Sequence, residues 1–318
     1  MRVDTNYINN PHFYDLIIIG SGPAGLTAAI YGQRANLKTA FIEKDTPGGK
    51  VVKTGFVENY PGFEQINGPD LAMNFFKQAT SLGSKFIYGE VINIFKVNDI
   101  FHITTSDNMV RYAKAVIIAS GMSEKKLGVE GENKYYGRGV SYCAVCDAAL
   151  YKNKTVAVIG GGNTALEESL FLADIVGKVY LIHRRQGFRA DESVVLKVKN
   201  NKKIELILDT VPLEFIGDGK KINSIKIKNV LTNEESIKEV ECIFPFIGFI
   251  PVNNFLGKLD VKNENGFIIV DENMQTNVEG LFCAGDILSK NIRQISTAIS
   301  DGTIAALSAK KFIEEKFE

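Results

Sequence analysis

Two stretches of the chain share one rhythm of apolar and polar positions. In YDLIIIGSGPAGLTAAIYGQRANLKTAFIEKD, residues 14–45, the unbroken apolar run Leu16–Ile19 predicts a strand covered on both faces. A glycine cluster follows, then an alanine- and leucine-rich segment with helical spacing, then a second apolar run from Thr39 to Ile42. KTVAVIGGGNTALEESLFLADIVGKVYLIHRRQGFRAD, residues 154–191, repeats the order with apolar runs Val156–Ile159 and Val179–Ile182. Each stretch therefore reads strand, glycine turn, helix, strand.

Short β-like runs come after each of these stretches. FIYGEVINI, IFHITT and KAVIIASG follow the first, and predict a small antiparallel ribbon with a strand returning to the first sheet. IELILDTVPLEFIG, INSIKIKNV and ECIFPFIGFIP follow the second in similar order. GLFCAGDILSKNIRQISTAISDGTIAALSAKKFIEEK, near the end, reads strand, Gly285-Asp286, loop and long helix. The economical layout is a discontinuous first domain with a second inserted into it. The expected fold class is α/β, with two Rossmann-like three-layer nucleotide-binding domains. Residues 1–123 and 251–318 would form the first, and residues 124–250 the second.

The glycines carry the first chemistry. Gly20, Gly22 and Gly25 stand in GxGxxG register, and Gly160, Gly162 and Ala165 in GxGxxA. The first glycine permits a tight turn, the second lets backbone approach a pyrophosphate, and the third position lets helix pack on strand. Helix N-terminal amides then face the phosphates. Glu43 lies 23 positions after Gly20, and His183 lies 23 positions after Gly160. So the ribose position holds an acid in one copy and His183-Arg184-Arg185 in the other, with Arg189 close behind. A carboxylate accepts from a free 2′-hydroxyl, whereas arginines attract a 2′-phosphate. The first copy is expected to bind FAD (or NAD), and the second NADPH.

Composition narrows the setting. The 318 residues are long enough for two cores. Lysine plus arginine and aspartate plus glutamate balance at 37 each, so no net field attracts nucleic acid or an anionic membrane. The opening stretch MRVDTNYINNPHFYD is polar and acidic, unlike a secretion signal. The apolar run IFPFIGFI falls far short of a membrane span. Four cysteines argue for a reducing compartment, and the cytoplasm is the expected location.

Two of those cysteines form SYCAVCD, residues 141–147. By spacing alone, Cys143 and Cys146 suit half a zinc site, a structural staple or a redox disulfide. Zinc needs about four ligands; Cys242 and Cys283 are solitary and the three histidines make no second pair. No metal is expected, and Cys242 and Cys283 read as small core residues. Asp147 has two readings, a helix N-cap or a proton donor and acceptor for thiol chemistry.

Taken together, GSGPAG (20–25), VENYPG (57–62), SYCAVCD, GGGNTALEE (160–168), HRRQGFRA (183–190), AGD (284–286) and RQISTAISDG (293–302) resemble the bacterial low-molecular-weight thioredoxin reductases. The resemblance covers essentially the whole chain. It implies a homodimeric flavoprotein that passes electrons from NADPH through FAD and a Cys143–Cys146 disulfide to thioredoxin. By position, Gly20, Ser21, Gly22, Pro23, Ala24 and Gly25 would cradle the FAD diphosphate, with Glu43 on the adenosine ribose and Val91 by the adenine. Gly48, Gly49, Lys50 and Asn59 would lie by the flavin and Asp286 on the ribityl chain; Gln294 and Ile295 would meet the flavin carbonyl region. Gly121 and Arg293 join this FAD set. Gly160, Gly162, Asn163 and Thr164 would hold the NADPH diphosphate, His183, Arg184, Arg185 and Arg189 its 2′-phosphate, and Glu167 would approach the nicotinamide.

The resemblance also implies that Cys146 faces the flavin, that Cys143 attacks the partner's disulfide through a mixed disulfide, and that Asp147 is the general acid and base. It implies rotation of one domain against the other, with crossings near 119–126 and 246–252 as hinges. Two positions depart from the family pattern: Lys50 stands where glutamine is usual, and Ala148 where glycine is. The rival readings keep the reductase core with another small dithiol protein or peroxidase as acceptor, or make the chain a redox-sensing binding protein.

Overall fold

A computed structural model describes residues 10–317; most of the polar opening stretch lies outside them. The chain forms two compact units, Met1–Ser123 with Pro251–Glu318, and Glu124–Ile250.

In the first unit, the apolar run expected at Leu16–Ile19 extends to a seven-residue strand, Phe13–Ile19, with Leu16, Ile17 and Ile18 wholly buried. It pairs in parallel with Thr39–Glu43 on one side and Val110–Ile118 on the other. Lys85–Tyr88 extends the sheet beyond Thr39–Glu43, and Leu281–Cys283 adds to Val110–Ile118. The antiparallel strands Val91–Val97 and Ile100–Thr105 do not form a separate ribbon. Val110–Ile118 pairs antiparallel with Ile100–Thr105 at its start and parallel with Phe13–Ile19 along its length. One long strand thus merges ribbon and sheet.

The helix Pro23–Arg34 starts with proline in its first turn, where no hydrogen bond is lost. Its small buried residues, Ala24, Gly25, Ala28 and Ala29, let the 23-residue helix Ile295–Phe317 approach closely. A methyl group added at Gly302 of that helix would stand 2.2 Å from the Ala24 carbonyl oxygen. This contact fixes the C-terminal helix against the glycine turn.

The second unit repeats the parallel core in the order Ile204–Ile207, Lys178–Ile182, Thr155–Gly160, Cys242–Phe246. A separate three-stranded antiparallel sheet, Thr210–Gly217, Ile222–Asn229 and Glu235–Glu239, sits where the first unit has its merged ribbon strands in the chain order. The helix Asn163–Ile175 follows the glycine turn and buries Ala165, Leu166, Ser169, Leu172 and Ala173. The two chain crossings are the short strands Met122–Glu124 and Phe249–Pro251, which pair with each other. Left-handed glycines flank them, Gly121 at φ 64° and Gly248 at φ 109°.

Candidate active site

The first glycine turn is held by geometry that only glycine tolerates. Gly20 has φ 103°, and a Cβ there would lie 2.4 Å from the Ala119 oxygen. A Cβ on Gly25 would lie 2.0 Å from the Gly20 oxygen, so helix and turn touch through backbone. Gly22 differs, with open space where its side chain would be and no side chain capping the helix it begins. The free amides of that first turn are a ready anion site.

Other expected residues converge on this turn. Gly48 donates its amide to the Ser21 carbonyl at 2.8 Å. Gly49, at φ 59°, lies so close that a Cβ would be 3.1 Å from Gly22 Cα. Lys50 follows, and its Nζ lies 2.6 Å from Oδ2 of Asp286. Glu43, at the end of its strand, accepts from Ser21 through Oε2 and from the amides of Lys44 and Asp45 through Oε1. Val91 begins its strand beside that end, where Gly89 donates to the Glu43 carbonyl.

Asn59 Nδ2 donates to Gln294 Oε1 at 3.2 Å, which brings VENYPG to the start of the C-terminal helix at Ile295. Arg293 uses Nε and Nη2 on the carbonyls of Asp286 and Leu288, and lies over the Phe267 ring. Its guanidinium braces the Asp286 loop. Gly121 closes the group two residues beyond Ala119.

One contributor escaped the sequence reading. Asp301, on the buried face of the C-terminal helix, accepts from the Gly285 amide at 3.0 Å and pairs with Lys290. The available signal was an acid beside Ala298, Gly302 and Ala305 on an otherwise apolar helix face.

In the second unit the expected NADPH residues line a cavity of about 530 Å³, including Gly160, Gly162, Thr164, His183, Arg184, Arg185 and Arg189. Gly162 matches Gly22: its helix has no side-chain cap and the space beside its Cα is open. The basic loop is folded onto the turn by backbone, with the Arg189 amide donating to the Gly161 oxygen at 2.7 Å. Asn163 adds a latch: its Oδ1 accepts from the Asp191 amide at 2.8 Å and its Nδ2 donates to Asp191 Oδ2 at 3.1 Å. Its side chain is thus spent on positioning the loop.

The His183 ring sits where a Cβ on Gly161 would be 2.2 Å away, stacks on Phe188, and shares a hydrogen bond with the Gly187 carbonyl. Burial holds its imidazole below the ordinary value, and the neighbouring arginines push the same way. His183 is therefore a neutral wall near pH 7, and the arginines carry the charge. Glu167 is exposed one turn into the helix and does not line the cavity.

Cys143 and Cys146 form a disulfide, with an S–S distance of 2.07 Å, at the start of the short helix Ala144–Asp147. Cys143 is buried and Cys146 exposed. Buried Ser141 shapes the approach, its Oγ accepting from the Cys143 amide at 3.1 Å and donating to the Cys143 carbonyl at 3.2 Å. The N-cap of the helix is Cys143, whose sulfur accepts from the Cys146 amide. Asp147 stands at the N-cap position of the following 3-10 turn, Ala148–Tyr151, but its carboxylate makes no capping hydrogen bond there. Ala148 is buried in the core of the unit. Cys242 and Cys283 are wholly buried, and burial pushes the Cys242 thiol up to about 12. The thiolate is the reactive form, so both are inert core residues.

The pairing of two nucleotide cradles with a redox disulfide defines a class, the disulfide reductases that draw on a pyridine nucleotide. The profile of the pyridine nucleotide-disulphide oxidoreductase family matches residues 14–302. The thioredoxin reductase of Mycoplasma genitalium is 45% identical over 98% of this chain and 99% of its own. The crystal structure of Lactococcus lactis thioredoxin reductase superposes with a TM-score of 0.89 at 44% identity, over 95% of this chain and 99% of that one. That of T. acidophilum gives 0.86 at 37% identity, over 94% and 98%. The chain belongs to the thioredoxin reductase family. It is a flavoprotein disulfide reductase that uses FAD and NADPH. The residues present fit both groups: two uncapped helix starts with open glycine faces for the diphosphates, an acid at one ribose position and three arginines at the other. Among the described residues no helix is long and apolar enough to cross a membrane.

Proposed function

We propose that the chain reduces oxidised thioredoxin, with Cys143, Cys146 and Asp147 as its catalytic residues. FAD held in the first unit's cradle would supply, from NADPH hydride, the electron pair that opens the Cys143–Cys146 disulfide. The Cys143 thiolate then attacks one sulfur of the partner's disulfide, forming a mixed disulfide and expelling the other sulfur as a thiolate. Asp147 delivers the proton that this leaving thiolate takes up. The Cys146 thiolate attacks Cys143, which restores the Cys143–Cys146 disulfide and releases the reduced partner.

The observation that carries this reading is the disulfide beside a carboxylate committed to no cap, in the same unit as the arginine-lined cavity. The FAD roles assigned by position to Gly20–Gly25, Glu43, Gly48–Lys50, Asn59, Val91, Gly121, Asp286 and Arg293–Ile295 belong to the same proposal. So do the NADPH roles of Gly160, Gly162, Asn163, Thr164, Glu167, His183, Arg184, Arg185 and Arg189. Buried Cys143 must become exposed to meet a protein. In this proposal one unit rotates against the other about the glycine-flanked crossings during turnover. The working form is a cytoplasmic homodimer; the family resemblance supports the dimer and the sparse cysteines support the location.

A coupled assay with NADPH, this protein, thioredoxin and a chromogenic disulfide tests the reading. Thioredoxin-dependent oxidation of NADPH is expected, and its absence rejects the proposal. Cys143→Ser keeps reduction of the bound flavin by NADPH and loses reduction of thioredoxin. A cross-link that locks the two crossings stops steady turnover while sparing one half-reaction; full turnover by the locked protein removes the rotation.

A further inference from the structure

The cradle of the first unit holds three acids, Glu43, Asp286 and Asp301, and the latter two each have their own lysine. Lys290 pairs with Asp301, and Lys50 pairs with Asp286 at 2.6 Å. Arg293, the other cation of the group, spends its donors on backbone carbonyls. The Lys50–Asp286 pair sits beside the anion-binding turn. Gly49 adjoins Gly22, and a Cβ on Gly285, next to Asp286, would lie 2.9 Å from the Ala24 side chain. The lysine is 38% exposed at its side chain and the aspartate 16%, so the charges are only partly solvated and feel one another and their surroundings.

This arrangement has an electrostatic consequence. A diphosphate brings negative charge to the turn, and a two-electron-reduced flavin adds more. Without Lys50, the Asp286 carboxylate would stand uncompensated beside both. Lys50 donates to Oδ2 of Asp286, the acid expected on the ribityl chain.

We propose that Lys50 is a positioning and charge-balancing residue. It orients Asp286 toward the ribityl chain and makes the cradle bind reduced FAD more tightly than oxidised FAD, which raises the reduction potential of the bound flavin. This rests on the assignment of the first unit to FAD. One unit charge retained or lost in a partly solvated cradle is worth about tenfold in that preference. Tenfold in a two-electron couple is about 30 mV.

The test measures the midpoint potential of bound FAD and the fraction of FAD retained on gel filtration, for the holoprotein and four variants. Lys50→Gln is expected to retain less FAD and to shift the potential negative by about 30 mV. Lys50→Arg keeps the charge and the wild-type potential. Asp286→Asn, which removes the acid and keeps an acceptor, shifts the potential positive. The double variant Lys50→Gln/Asp286→Asn returns it toward wild type. If Lys50→Gln fails to fold, Asp286→Asn and Lys50→Arg still decide the matter. A Lys50→Gln potential equal to wild type, an Asp286→Asn shift in the negative direction, or an arginine variant that behaves as the glutamine one overturns the proposal. In those cases the wild type is still yellow, so the FAD reading survives. A wild type that purifies without flavin overturns both.

Discussion

The amide and the hydroxyl of Ser21 both donate to Oε2 of Glu43, at 3.0 and 2.9 Å. Oε1 of the same carboxylate accepts from the amides of Lys44 and Asp45 at 2.8 and 3.0 Å. One side chain thus ties the glycine turn to the end of the neighbouring strand and shapes the loop beyond it. Glu43→Ala is therefore expected to destabilise the protein even with FAD removed, because four donors lose their acceptor. Hydrogen bonds to a charged group contribute about 1.5–3 kcal/mol, and part of that is recovered from water at this half-exposed position. Thermal unfolding of flavin-free protein checks it. An unchanged melting temperature would confine Glu43 to ligand binding.

Selectivity for the 2′-phosphate is expected to lie in the arginines and not in His183. Arg184→Gln and Arg185→Gln should each lower kcat/KM for NADPH by roughly 10- to 100-fold, the worth of one charge-assisted hydrogen bond. Values for NADH should hardly move. His183 is held below its ordinary value by burial, so it stays neutral as the pH rises from 7 to 8. KM for NADPH should be flat over that interval in wild type and in His183→Asn alike. Steady-state kinetics with both nucleotides decide it, and equal losses with NADH would place the arginines elsewhere.

Glu168 gives a pH dependence of stability. Its Oε2 is buried without a hydrogen-bond partner among the described residues. Burial first, and then the Glu167 charge, raise its carboxyl from 4.5 to about 7. Between those values the folded chain holds a proton that the unfolded chain has lost. Its contribution to stability is thus full below about pH 4.5 and is lost as pH rises through about 7. Glu168→Gln removes the titration, so its gain over wild type should be absent at pH 4 and grow to on the order of 3 kcal/mol at pH 8. Denaturant unfolding across that range checks it; a gain independent of pH would show that packing, not charge, is the cause.

Much of this architecture was legible in the sequence because it is local. Gly20 to Glu43 and Gly160 to His183 each lie within one strand–turn–helix–strand unit, where apolar periodicity and glycine placement report the backbone directly. The merging of the ribbon into the sheet was not, since apolar runs carry no record of which strands pair. Nor were the partners of polar side chains distant in sequence. Lys50 and Asp286 are 236 positions apart, and Asn163 and Asp191 are 28 apart. Such contacts arise where loops from separate elements meet at the ends of a sheet. The motif located Asn163 at the right turn, yet its side chain holds a loop, and the glycine geometry that shapes the cradle is left to the backbone.

Asp147 separates the two readings that its sequence left open. A capping carboxylate satisfies backbone amides, and losing one costs about 1 kcal/mol; Asp147 stands at the N-cap position of Ala148–Tyr151, yet its carboxylate makes no capping hydrogen bond. Asp147→Asn should accordingly unfold at the same temperature as wild type. If the carboxylate handles protons, the same variant should still accept electrons from NADPH into the bound flavin. Its turnover with a protein disulfide should fall by roughly 100-fold or more. Stopped-flow reduction followed by multiple-turnover assay on one preparation separates the two half-reactions. A lowered melting temperature with turnover intact would restore a structural role and remove Asp147 from the chemistry.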